Sequence, residues 1–169
     1  PKDAITSPRG PHRALSLVVF FTALWFIFLK MLSEPTFFDG ITYGAVAQNL
    51  ATASQGYWNL SYTATIFPSF VGHPPFFLWL LRLTFFLPQL PFPPEFCLNF
   101  FLLIATLILI QKLWISVQHN DAPTFSAWIP LSLFLITPIL RESFSSALID
   151  NLLCLFNLLT VLLLLNCGK

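Results

Sequence analysis

Between residues 147 and 165 the chain is mostly leucine after Asn151. Such a segment has few environments open to it. Crossing the hydrocarbon of a bilayer takes about 20 apolar residues in a helix. Four stretches reach or approach that length: 14–32, 96–115, 125–140 and 147–165. The third is short and carries Pro130 and Pro138. Charged residues make up 9% of the chain and hydrophobic ones 56%, whereas a soluble domain carries about 25% charged residues. So little charge cannot coat a water-exposed surface, and lipid is the expected solvent. The expected fold class is all-α integral membrane: about four transmembrane helices in one membrane domain over residues 1–169.

Other features exclude several classes. The net charge is +1, and no run of Lys and Arg offers a nucleic-acid surface. Cys97, Cys154 and Cys167 lie in apolar stretches without the paired spacing of a zinc or redox motif, so they read as small apolar residues inside helices. The first apolar run is long and no small-residue cleavage site follows it, so no cleavable signal peptide is recognisable. The chain opens at Pro1 and stops just after an apolar run, at Cys167-Gly168-Lys169. It is expected to be a fragment of a longer protein.

A fifth apolar run, 75–87, is shorter and has Arg82 at its centre. A charge at the bilayer centre costs about 2.5–3.5 kcal/mol on insertion scales. Prolines flank it: Pro74 and Pro75 before, and Pro88, Pro91, Pro93 and Pro94 after. It is expected to lie in the membrane interface rather than cross. With four spans, Lys2, Arg9, Arg13, Lys112 and Lys169 fall on the cytoplasmic side, in keeping with the positive-inside rule. Asp39 and Asp150 then share the extracytoplasmic face. With five spans they would lie on opposite sides.

The loop over 33–95 is too long for a simple connector. It holds a helix candidate over 39–54, closed by Gly56. At helical spacing Asp39, Tyr43, Val46 and Leu50 share a face. Tyr57, Trp58 and Tyr62 follow, residues that favour the headgroup layer, so the loop is expected to hug the membrane surface.

Each candidate for chemistry has a structural alternative beside it. Asp39 is either a helix N-cap or a carboxylate facing a substrate, and the two roles are compatible. Asp150 sits at the mouth of the fourth span, where an ionisable residue is a functional candidate. Its alternative is an interfacial carboxylate paired with Arg141. His73 is held between Gly72 and two prolines that restrict the chain; otherwise it is an ordinary loop residue. Asn59-Leu60-Ser61 is a glycosylation sequon, meaningful only in a eukaryotic lumen. No Gly-rich phosphate loop, metal-binding His pair or nucleophile elbow is present.

Asp39-x-x-x-Tyr43-x-x-x-Ala47-x-Asn49-x-Ala51, then Trp58, then His73-Pro74-Pro75-Phe76-Phe77-x-Trp79-Leu80 resembles the start of the GT-C membrane glycosyltransferases. The group it is most similar to is the protein O-mannosyltransferase and aminoarabinose lipid A transferase superfamily. Asp150 stands where that group carries a second Asp. The resemblance runs from about residue 14 to 165. It implies the N-terminal part of a GT-C fold, with a long extracytoplasmic loop carrying interfacial helices. It implies transfer of a sugar from a polyprenyl- or dolichyl-phosphate-linked donor to a hydroxyl of a lipid, glycan or protein acceptor.

In that role Asp39 is the candidate general base, with Asp150 as second catalytic carboxylate. Tyr43, His73 and Arg141 are candidate substrate-binding residues, and His73 or Arg141 would help stabilise the leaving phosphate. Many relatives carry an acid directly after the first Asp. Gly40 stands there in this chain, which argues against a two-carboxylate or metal-binding role at that dipeptide. No cofactor is expected, and a divalent metal requirement is left open. The implied location is the bacterial cytoplasmic membrane, or the endoplasmic reticulum of a eukaryote, with the site extracytoplasmic. Two other readings stand beside this one: a non-catalytic membrane subunit or scaffold of the same fold, and a transporter segment with Asp39 and Asp150 on an ion path.

Overall fold

The computed structural model describes residues 10–33, 38–52, 58, 60–63, 69, 75–87, 93–117, 128–145 and 148–167, the side chains of 10–13, 16, 31–33, 38, 141 and 145 excepted. Among the described residues the chain is all-helical, without strands. The helices are α1 (Gly10–Ser33), α2 (Phe38–Thr52), α3 (Pro75–Thr84), α4 (Pro94–Val117), α5 (Trp128–Ile136), α6 (Pro138–Ser145) and α7 (Asp150–Cys167).

Proline sets three of the starts. Pro75, Pro94 and Pro138 are the first residues of α3, α4 and α6. There the missing N–H has no helical acceptor to lose and the fixed φ suits the helix. Pro138 also corrects the sequence reading of one helix over 125–140. The chain leaves helical geometry at Thr137 and restarts as α6. A proline disfavours the helical conformation of the residue before it and cannot donate into the preceding turn. Thr137 closes the end of α5: its N–H reaches the carbonyls of Leu133 and Phe134 at 3.2 and 3.3 Å, and its hydroxyl reaches that of Leu133 at 2.8 Å.

The run expected as one helix over 75–87 is helical only to Thr84. Phe85, Phe86 and Leu87 form a turn, their N–H groups bonding to the carbonyls of Arg82, Leu83 and Thr84. Ten residues rise about 15 Å, half of what a span needs. The last helix begins at Asp150, where 147–165 was expected. Its first turn is tight: the N–H groups of Asn151 and Leu152 bond to the carbonyls of Leu148 and Ile149 at 3.2 and 3.0 Å.

Two helices, α4 and α7, are long and apolar enough to cross a membrane. Only 22% and 11% of their apolar windows are buried inside the fold, unlike the core helices of a soluble protein. Phe101, Leu133, Ile139 and Leu164 all stand more than half exposed. An outer surface of this kind suits lipid.

The packing fixes which ends meet. α1 lies along α5 and α6: Phe20 meets Trp128 edge-on at 5.1 Å, and Lys30 pairs with Glu142. α4 and α7 make the most extensive contact of any pair, meeting at their starts through Asn99 and Asn151. α2 and α3 pack together, with Tyr43 edge-on to Phe77 at 5.8 Å, and α3 lies on α4. The core gathers Ile27, Val46, Phe77, Leu81, Leu103, Leu135 and Phe144 from six helices.

Candidate functional site

α2 carries the first two candidates. Asp39 is its second residue, inside the first turn rather than capping it from outside. There the carboxylate faces the positive end of the helix dipole. Asp39 is exposed. One turn on, Tyr43 is buried, and Val46, Ala47 and Leu50 continue that inward face. The expected shared face is present, with Asp39 at its open end. Gly40 and Gly44 are buried too, so α2 lies close on its neighbours. A methyl group on Gly44 would stand 3.6 Å from Glu95 Oε1, which brings the Glu95 carboxyl at the head of α4 over α2.

Asp150 is the first residue of α7, exposed at its N-terminal end. It is far from Asp39 in sequence, yet its helix starts where α4, whose head lies against α2, also starts. Burial pushes the Tyr43 hydroxyl above its ordinary value of 10.0, and the negative charges of Asp39 and then Asp150 push it further. Desolvation and nearby like charge both disfavour a phenolate. Tyr43 therefore keeps its phenolic proton more firmly than a free tyrosine.

The rest of this end is polar in the same way. Lys30 pairs with Glu142, and Glu95 lies by Gly44. Asn49 donates both amide hydrogens, to the carbonyls of Ser61 and Tyr62 at 2.8 Å each. That anchors 61–62 to α2. Trp58, largely exposed, sits edge-on to Trp79 of α3 at 4.9 Å. His73 and the sequon Asn59 lie outside the described residues. Arg141 lies in α6, with its side chain outside them, so its pairing with Asp150 does too. Among the described residues no three His, Cys, Asp or Glu side chains come together as a metal site.

Sequence reasoning passed over Asn99, Ser143 and Asn151, which form a buried polar cluster beside Asp150. Their signal was present: an amide in a window of Leu and Phe is costly unless it finds a partner. The class this architecture defines is an all-helical protein with helices fit to cross a membrane and a polar end bearing Asp39, Glu95, Glu142 and Asp150. No protein family, curated protein or solved structure matches the chain.

Proposed function

We propose that the chain is the N-terminal part of a membrane glycosyltransferase that takes sugar from a polyprenyl-phosphate-linked donor. The observation that carries the reading is that α2, with Asp39 in its first turn, lies against Glu95 at the head of α4, the end at which Asp150 begins α7. Directions of the helices support it. The end of α1, the start of α4, the end of α6 and the start of α7 meet at one end. That is the arrangement expected of four alternating spans, with α2 and α3 lying across their extracytoplasmic end.

In this reading Asp39 accepts the proton of the acceptor hydroxyl. The hydroxyl oxygen bonds to the anomeric carbon as the bond from that carbon to the phosphate oxygen breaks. The phosphate leaves on its lipid, carrying the electron pair. A hydroxyl is a weak nucleophile, so a positioned base contributes about 10²–10⁴-fold. Exposure suits Asp39 to this work, because the acceptor hydroxyl must reach its carboxylate. Tyr43 donates to a carboxylate or to a sugar oxygen. Asp150 stands exposed at the N-terminal end of α7, which favours transfer over an ion path. A non-catalytic scaffold of the same fold would leave Asp39 only its place at the positive end of the α2 dipole.

The test offers a radiolabelled polyprenyl-phosphate sugar to membrane vesicles holding the protein. Release of free polyprenyl phosphate that is lost in Asp39→Asn supports the reading. No release from mannosyl, glucosyl or aminoarabinosyl donors, or equal release by Asp39→Asn, overturns it.

A further inference from the structure

Three side chains and two carbonyls form a closed polar knot where α4, α6 and α7 meet. Asn151 Nδ2 donates to Asn99 Oδ1 at 3.0 Å and to the Ser143 carbonyl at 3.0 Å. Asn99 Nδ2 donates to the Phe144 carbonyl at 2.9 Å. Ser143 Oγ donates to Asn151 Oδ1 at 2.6 Å. Asn99 and Asn151 are each 1% exposed, and Phe144 beside them is equally buried. The carbonyls of Ser143 and Phe144 belong to the last turn of α6, where helical partners run out. The two amides supply what the helix cannot.

The knot does more than satisfy carbonyls. α7 is apolar nearly all round, and of its eighteen residues only Asn151 and Leu152 are buried. In lipid, leucine gains little by turning toward another helix rather than toward acyl chains. Apolar packing therefore leaves the rotation of α7 about its own axis weakly specified. A buried amide pair specifies it, as a single Asn fixes register in a coiled coil. Consecutive helical residues point about 100° apart. With Asn151 held toward α4, Asp150 is set on the flank of the same turn, at the polar end.

We infer that Asn99 and Asn151 are positioning residues, whose amide clamp on the α6–α7 corner fixes the rotation of α7 and with it the direction of the Asp150 carboxylate at the polar end. The role rests on the proposed transfer site, and it can be tested without any sugar donor. The Tyr43 phenol reports the distance of Asp150, since that carboxylate helps raise it.

The experiment titrates the intact protein in lipid nanodiscs, labelled with ¹³C at the tyrosine ζ carbon, with Tyr43→Phe assigning the signal. Asp150→Asn sets the scale by lowering the Tyr43 midpoint. Asn99→Leu and Asn151→Leu are expected to lower it by a comparable amount, and Ser143→Ala by a smaller one. Leu103→Ala, a cavity elsewhere in α4 at a site 1% exposed, is expected to leave it in place. Should the leucine variants fail to fold, Ser143→Ala carries the test alone. A midpoint unmoved in the folded clamp variants overturns the inference, and so does an equal shift in Leu103→Ala. Failure here leaves sugar transfer by Asp39 to the donor assay, and failure of that assay leaves the clamp standing.

Discussion

Lys30 and Glu142 form an ion pair across 112 positions of sequence, joining the last turn of α1 to α6. The Lys30 side chain is 18% exposed and that of Glu142 52%. Exposed pairs are worth about 0.2–1 kcal/mol, so this one marks where two helix ends meet more than it stabilises them. Lys30→Cys with Glu142→Cys is expected to form a disulfide under mild oxidation in membranes, and both thiols to label from one side of sealed vesicles. Labelling from opposite sides would exclude the four-span arrangement.

The same vesicles test the two carboxylates. Asp39→Cys and Asp150→Cys, each in a background free of other cysteines, are expected to react with an impermeant maleimide from the same side. Asp39→Asn is expected to lower sugar transfer by about 10²–10⁴-fold. Its stability should fall by only about 0.3–1 kcal/mol, the worth of an exposed charge at a helix N-terminus. A large fall in thermal stability with the activity loss would return Asp39 to a structural role.

Tyr43 makes the fold sensitive to alkali. Its folded-state value is raised above 10.0 by burial, Asp39 and Asp150. Below the ordinary value both states hold the proton and stability is unaffected. Above it the unfolded chain loses the proton first, so stability falls as pH rises toward the folded value. Thermal unfolding between pH 8 and 11 is expected to show this fall, and Tyr43→Phe to remove its share. Equal curves for the two proteins would place the phenol outside that field.

Leu81 is fully buried where α3 packs, whereas Leu164 is 69% exposed on α7. Leu81→Ala is expected to cost about 2–5 kcal/mol through the cavity it leaves. Leu164→Ala should stay within about 0.5 kcal/mol. Unfolding in mixed detergent micelles compares them directly. Similar losses would mean that the outer face of α7 is covered.

Asn49 holds the chain at 61–62 with two bonds. Asn49→Ala leaves both carbonyls without that donor, at about 1–3 kcal/mol. Faster cleavage by a broad-specificity protease near Ser61, with α4 and α7 intact, is the expected result. An unchanged rate would show that Leu60 and Tyr62 hold the segment by packing alone.

Much of this chain was legible before any coordinates. Helical character follows from long apolar runs, because a backbone in lipid must satisfy its own hydrogen bonds. The inward face of α2 followed from the spacing of Tyr43, Val46 and Leu50, and the short reach of α3 from Arg82 and its flanking prolines. Tertiary structure alone decided the rest. A leucine-rich run has no strongly preferred face, and although Asn151 within it needs a partner, local sequence does not say which element supplies one. Only the meeting of Asn151 with Asn99, and of both with the end of α6, settles it. The break at Thr137 depends on whether Pro138 interrupts a helix or begins one, and the packing of Phe144 against Phe134 at 5.9 Å lets it begin one. Asp39 and Asp150 could be paired in sequence only by resemblance. Their common field on Tyr43 exists because helix ends far apart along the chain are packed to one place, and contact order of that kind is not written in local spacing.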